Sequence, residues 1–325
     1  MMEQKKINRQ TNILAYLKFI RLPNVIIVIL TQFLLRYTIL APLLYEGDTE
    51  VMSTFTDFSL LVLATVLVTV GANIINDYFD VKIDRINRPE LQVVGRLVSL
   101  KTAMRLHLLL SGLGILIAFY LSWRIRLFSF GLIFLFGVFL LWLYSAKYKY
   151  LLLWGNLVVA LCSAMVILLV FLFEFFWLRL HPDFFSDVLP EIFIVFEIIL
   201  AYILFAFLVS FFREIIKDME DIKGDESVGC RTLPLVAGMK ASRWTVTVLV
   251  VLTMGLLGYG QLILYRLGMM PVFWFLLVTC QFTMGYIIYR IFRSNTKEEF
   301  HILSNICKIV MLAGILSMQL IAISK

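Results

Sequence analysis

The chain has 325 residues, 61% of them hydrophobic and only 16% charged, with a mean hydropathy of +0.93. A water-soluble domain of this length needs far more polar surface, so the composition points to an all-helical protein that crosses a membrane many times. The formal net charge of +7 does not imply a nucleic-acid partner, because the basic residues fall in short loops between apolar runs and report topology instead.

A spanning helix needs roughly 20 apolar residues. Nine runs reach that length: 16–40, 57–76, 101–123, 127–146, 150–173, 190–214, 243–265, 271–290 and 303–323. The basic start (Lys5, Lys6, Arg9) leads directly into the first run without a small-residue cleavage site, so no secretory signal is expected. With the N-terminus in the cytoplasm, Lys18 and Arg21 and the basic loops after spans two, four, six and eight share one side. Only Arg36, Arg124, Arg126, Arg179, Arg266 and Lys325 are then left outside. This orientation in the cell membrane puts the loop His181-Pro182-Asp183-Phe184-Phe185-Ser186-Asp187 outside and leaves Glu174 and Glu197 as solvated acids flanking it. Cys162, Cys230, Cys280 and Cys307 show no paired spacing, and His107, His181 and His301 are isolated, with surface or interface roles expected. No linker or soluble segment interrupts the chain, so residues 1–325 are expected to form one polytopic domain.

One pattern occurs twice. Asn76-Asp77-Tyr78-Phe79-Asp80-Val81-Lys82-Ile83-Asp84 and Lys217-Asp218-Met219-Glu220-Asp221-Ile222-Lys223-Gly224-Asp225 both read D-x-x-D-x-x-x-D, at a constant offset of 141 (77 to 218, 80 to 221, 84 to 225). Each directly follows a long apolar run, spans two and six, which run in the same direction; a parallel internal duplication would produce this. Residues three and four apart share a helix face. Asn73, Asn76 or Asp77, Asp80 and Asp84 therefore make one polar stripe, and Glu214, Asp218, Asp221 and Asp225 another. Six like charges held close together repel unless cations sit among them. Two such stripes set opposite each other would hold hard cations by oxygen, and Mg²⁺ would fill its shell with substrate phosphate. Arg85, Arg88, Lys147, Arg213 and Lys217 accompany the motifs and suit a departing diphosphate. Lys82 and Lys223 are expected to neutralise the neighbouring aspartates, and Asn156 suits either a cavity wall or a helix-packing hydrogen bond.

The first motif with Arg85-Ile86-Asn87-Arg88-Pro89, and the second with Gly229-Cys230-Arg231-Thr232-Leu233-Pro234, resemble the UbiA superfamily of intramembrane prenyltransferases across essentially the whole chain. The resemblance implies a helical bundle with a polar cap on the cytoplasmic side that binds a polyprenyl diphosphate through Mg²⁺. It implies Asn76, Asp80, Asp84, Asp218, Asp221 and Asp225 as metal ligands, with Asp80, Asp84, Asp221 and Asp225 central to catalysis; Asp77, from the repeated spacing, is a further metal candidate, either as a ligand or as a partner of one. Arg88, Lys147, Arg213 and Lys217 are implied as diphosphate contacts. The allylic C–O bond would ionise and a membrane acceptor would attack the cation. Within the superfamily, Asn76 to Pro89, the run Gly155-Asn156-Leu157-Val158-Val159-Ala160 and Arg213 to Asp225 look most like the branch that joins a geranylgeranyl group to the hydroxyl of geranylgeranylglyceryl phosphate. Two departures, Glu90-Leu91-Gln92-Val93-Val94-Gly95 in place of a second Arg-Pro and a Pro-Ser-Gly turn, and Lys147-Tyr148-Lys149 in place of Lys-Arg, keep an aromatic acceptor of quinone biosynthesis open. The different-class alternative is an ion-coupled membrane carrier, but the acids lie at span ends rather than at midspan breaks. No protein or nucleic-acid partner is expected.

Overall fold

The structure, a computed structural model, describes residues 19–45, 51–87 and 92–323. Lys5, Lys6, Arg9, Lys18, Arg88, Pro89, Glu90, Leu91 and Lys325 lie outside the described residues. In chain order the helices are α1 (Leu22–Leu44), α2 (Phe55–Phe79), α3 (Val81–Asn87), α4 (Leu100–Arg124), α5 (Phe128–Ala146), α6 (Trp154–Leu178), α7 (Pro182–Asp187), α8 (Leu189–Glu220), α9 (Ile222–Ser227), α10 (Leu233–Val236), α11 (Gly238–Arg266), α12 (Met270–Ile291) and α13 (Lys297–Ile323). Among the described residues, nine are long and apolar enough to cross a bilayer, all except the short α3, α7, α9 and α10. Each expected span has its helix. The span ends differ where apolarity and helicity part: span six was expected to stop at 214, yet α8 runs on through Ile215-Ile216-Lys217-Asp218-Met219-Glu220. Counting apolar residues stops at the first charges, whereas i to i−4 bonding continues through residues that tolerate a helix.

The chain divides into two compact units. The first holds residues up to 29, 56–148 and 223–229, hence α2 to α5 and α9. Its α2 and α4 pack closely because small residues stand at the contact: a Cβ on Gly71 would lie 2.5 Å from Ser111 Oγ, and one on Gly114 would lie 3.1 Å from the Ala64 carbonyl. His107, expected near a surface or interface, is buried at this contact, with Nδ1 2.9 Å from Gly71 O. The turn from α4 to α5 is tight, with Arg126 at φ +53° and Leu127 N donating to Ser122 O at 2.9 Å. Phe19, Ile74, Val93, Val94, Val98 and Ala103 bury together where α4 begins.

The second unit holds residues 30–55, 149–222 and 230–325. Here α8 is the central helix, packed by α6, α11 and α13. Its apolar face (Phe205, Val209, Phe212, Ile215, Ile216, Met219) forms one core with residues of α11, α12 and α13. Gln281 donates to Gln261 Oε1 and to Met254 O, both at 3.0 Å, tying α12 to α11 with polar groups that the apolar surroundings leave no water to satisfy. A capping box starts α13: Thr296 Oγ1 accepts from Glu299 N at 3.3 Å, and Glu299 Oε2 accepts from Thr296 N at 3.1 Å. All four cysteines are free thiols.

Candidate active site

The first acidic motif sits where α2 stops. Asp80 is the single residue between α2 and α3, and its N–H still closes a helical bond on Asn76 O at 2.9 Å. Asp84 N then donates to Asp80 O at 2.8 Å, so the stripe continues in register across the break. Asn76 Nδ2 donates to Asp80 Oδ2 at 2.8 Å, while Asn76 Oδ1 is buried with no hydrogen-bond partner. Asp77 turns to another partner: Arg21 NH2 donates to its Oδ1 at 2.8 Å. Arg21 is held there by the backbone, since the buried Asn73 Nδ2 donates to Ile20 O at 3.3 Å and α1 begins at the next residue. Lys82 and Arg85 are exposed, and Lys147 is the exposed C-cap of α5. Neither Lys82 nor Lys223 makes an ion pair among the described residues.

The second motif has the same backbone. Asp221 separates α8 from α9, and its N–H closes on Lys217 O at 2.9 Å, the counterpart of the Asp80 bond. Asp218 Oδ2 accepts from Asn156 Nδ2 of α6 at 2.7 Å. Of the two readings open for Asn156, the hydrogen bond to a neighbouring helix is the one observed. Glu214, one turn earlier on α8, is buried and gathers both nearby cations: Arg213 NH1 at 2.8 Å, and Lys217 Nζ at 2.8 and 3.1 Å. Arg213 Nε stays buried without a hydrogen-bond partner. Lys297 Nζ stands 4.0 Å from Asp221 Oδ1, and His301 Nδ1 lies 2.9 Å from Glu220 Oε1. Asp225 follows in α9 with the first unit. Next to Asn156, Leu152, Leu153, Trp154, Leu157 and Phe211 line an apolar cleft of about 160 Å³. Leu153 starts α6 at φ +59°, a left-handed conformation that costs a leucine roughly 1–2 kcal/mol.

Arg21 and His301 are partners that spacing alone did not reveal, because the carboxylates they meet, Asp77 and Glu220, are remote from them in sequence. Within neither unit do three or more His, Cys, Asp or Glu side chains of the described residues converge at metal-holding distance. The donors present are nonetheless all oxygen, and the buried Asn76 carbonyl oxygen without a hydrogen-bond partner stands beside the Asp80 carboxylate. That chemistry fits a hard divalent cation and not a soft one.

Glu174 departs from its expected solvation. It is fully buried, 3.2 Å from Arg36 Nε, and accepts from Ser53 Oγ at 2.6 Å and Tyr45 OH at 3.1 Å. Arg36 also donates to the Ser53 carbonyl. Two charges this deep persist only when paired and hydrogen-bonded, and the sequence could not show that Arg36 on α1 supplies the pair. Burial pushes the Tyr45 phenol pKa well above its ordinary value, and the charge and hydrogen bond of Glu174 add to that. Glu197 is exposed on α8.

Residues 37–307 match the UbiA prenyltransferase family. Among curated relatives, a digeranylgeranylglyceryl phosphate synthase of Pyrococcus horikoshii is 35% identical over 172 residues, 53% of this chain and 53% of its own length. One of Methanosphaera stadtmanae is 29% identical over 257 residues, 78% of this chain and 84% of its own. The match thus spans about half the length of the first relative and most of the second. A solved structure of digeranylgeranylglyceryl phosphate synthase shares the fold at TM-score 0.63 and 24% identity, covering 96% of this chain and 99% of that one. A UbiA homologue from Archaeoglobus fulgidus bound to DMAPP and Mg²⁺ does so at TM-score 0.53 and 16% identity, covering 94% and 99%. With nine apolar helices and a family match over most of its length, this is an integral multi-pass membrane protein, and the chain belongs to the UbiA prenyltransferase family.

Proposed function

We propose that the protein transfers a geranylgeranyl group from its diphosphate to the free hydroxyl of geranylgeranylglyceryl phosphate, forming an ether. The observation that carries the reading is the matched break at Asp80 and Asp221, which sets the same carboxylate spacing at the ends of two spanning helices. Relatives named digeranylgeranylglyceryl phosphate synthase in Pyrococcus horikoshii and Methanosphaera stadtmanae support the acceptor. Asn76, Asp77, Asp80 and Asp84, with Asp218, Asp221 and Asp225, supply the oxygen ligands for Mg²⁺. When bound, Mg²⁺ neutralises charge on the diphosphate oxygens as a Lewis acid.

The chain's own residues do the rest. Arg213 brings an open Nε–H donor and Lys217 an ammonium, both aimed by Glu214, so that negative charge growing on the departing diphosphate meets fixed positive charge. Lys147 and Arg88 are further candidate diphosphate contacts by their place in the sequence. Asn156 holds the Asp218 carboxylate in one orientation. The apolar cleft of Leu153, Trp154, Leu157 and Phe211 takes apolar chain beside that carboxylate and excludes water from the allylic cation. The acceptor hydroxyl attacks C1 of the cation, the C–O ether bond forms, and the hydroxyl proton leaves to a carboxylate or water. The chain acts as one catalytic domain, 1–325, in which spans two and six descend from an internal duplication. The motifs and the N-terminus face the cytoplasm, where most basic loops also lie.

The test offers purified protein labelled geranylgeranyl diphosphate and Mg²⁺, with geranylgeranylglyceryl phosphate and an aromatic acid in competition. A labelled diether phosphate is the expected product. A labelled aromatic product would move the acceptor to quinone biosynthesis, and no transfer to either would contradict the reading.

A further inference from the structure

The start of α4 carries a feature that none of these residues explains. Leu100, Lys101, Met104 and Arg105 line a cleft of about 310 Å³ together with Tyr78 of α2. The sequence builds it locally. Gln92 Nε2 donates to Val81 O at 3.2 Å, Gly95 takes φ +85°, and its N–H donates to Val98 O at 2.8 Å. Val93, Val94 and Val98 bury against Ile74 and Ala103, which delivers the start of α4 beside the end of α2. Ser99 then caps α4, its Oγ accepting from Thr102 N at 3.1 Å.

Lys101 and Arg105 are one turn apart and project from one face. Both are exposed, and neither makes an ion pair among the described residues. Some basic groups at helix ends are neutralised, Arg21 by Asp77, Arg124 by Asp57, and Arg213 and Lys217 by Glu214, whereas Lys101 and Arg105, like Lys82 and Lys223, are not. Two uncompensated cations above Leu100, Met104 and a tyrosine ring suit a phosphate group carried on an apolar chain. The N–H donors bind phosphate oxygens, and the apolar walls cover the first methylenes. Tyr78 follows Asp77 directly, so a head group in this cleft sits at the same helix end as the first acidic motif.

We propose that the cleft of Tyr78, Lys101 and Arg105 binds the phosphomonoester head of the lipid acceptor and selects acceptors that carry one. The identity of that lipid as the acceptor rests on the function proposed above; the affinity for a phosphomonoester on an apolar chain does not. A bilayer phosphodiester or free phosphate offers related chemistry, and the experiment separates these sources. The full chain in uncharged detergent is titrated with lysophosphatidate, lysophosphatidylcholine, phosphatidylglycerol and inorganic phosphate, alongside Lys101→Gln/Arg105→Gln and the swapped Lys101→Arg/Arg105→Lys. Thermal unfolding confirms that these variants of exposed residues are folded.

Lysophosphatidate is expected to bind the wild type, to weaken about tenfold or more in the Gln variant and to recover in the swapped one. In the transfer assay the Gln variant raises the acceptor KM by a similar factor while the donor KM stays unchanged. Equal lysophosphatidate binding by wild type and Gln variant overturns the proposal. So does equal competition by phosphatidylglycerol or inorganic phosphate, which would assign the cleft to bulk lipid or to a free ion. Should the wild type transfer to no phosphate-headed acceptor while the Gln variant still loses lysophosphatidate, the acceptor assignment falls and the phosphomonoester site stands.

Discussion

At Asp80 and at Asp221 the chain makes the same move: a long helix stops, one aspartate interrupts it, and a short helix carries the last aspartate of the pattern. Around these matched backbones the charges are balanced differently. In the first region the compensating cation, Arg21, comes from ahead of α1 and takes Asp77, leaving Asn76 and Asp80 bonded to each other. In the second, both cations lie on α8 itself and are gathered by Glu214, which is outside the repeated pattern, while Asp218 is met by the neutral amide of Asn156. A repeat fixes where carboxylates fall along a helix, whereas residues outside the repeat decide how much negative charge each one keeps. The second region therefore carries its own cations on the helix that bears its carboxylates, whereas the first draws its cation from outside its helix.

The largest effect should come from the two break residues, where the regions are most alike. Asp80→Ala and Asp221→Ala should each lower kcat by about a thousandfold in a Mg²⁺-dependent transfer assay, with little change in thermal unfolding. A large loss at one position and none at the other would break the equivalence. Next comes a charged pair with no place in either region. Glu174→Ala leaves Arg36 buried without its carboxylate and should cost about 3–5 kcal/mol of stability, read by thermal unfolding in detergent. The protein that stays folded should keep most of its kcat, in contrast to the motif variants.

These expectations separate what the sequence shows from what it hides. Nine spans were legible because a bilayer demands long apolar runs, and both motifs were legible because one carboxylate spacing recurs at a constant offset at the ends of two such runs. Partners were not legible. Arg21 meets Asp77 across 56 positions and Tyr45 meets Glu174 across 129, and neither pairing leaves a local pattern. From sequence Glu174 reads as solvated for that reason, whereas it is buried. The end of α8 was placed too early because an apolar count cannot follow a helix into its polar last turns.

A smaller effect tests how the second region is oriented. Asn156→Ala removes one charge-assisted hydrogen bond to Asp218 and should lower kcat/KM for the donor between about tenfold and a hundredfold. Asn156→Asp should be worse, because it sets a second carboxylate beside the first. The smallest effect is expected at Arg21→Gln. The Arg21 side chain is 38% exposed, so losing its pair with Asp77 should change stability by only about 0–1 kcal/mol in a denaturation curve.

The most direct measurement is equilibrium binding of labelled geranylgeranyl diphosphate to the purified chain, with Mg²⁺ and with a chelator, in the wild type, Asp80→Ala and Asp221→Ala. The account predicts tight binding by the wild type with Mg²⁺, and weak binding under chelator and in both variants. Binding of equal strength under chelator, or undiminished in both variants, would contradict it.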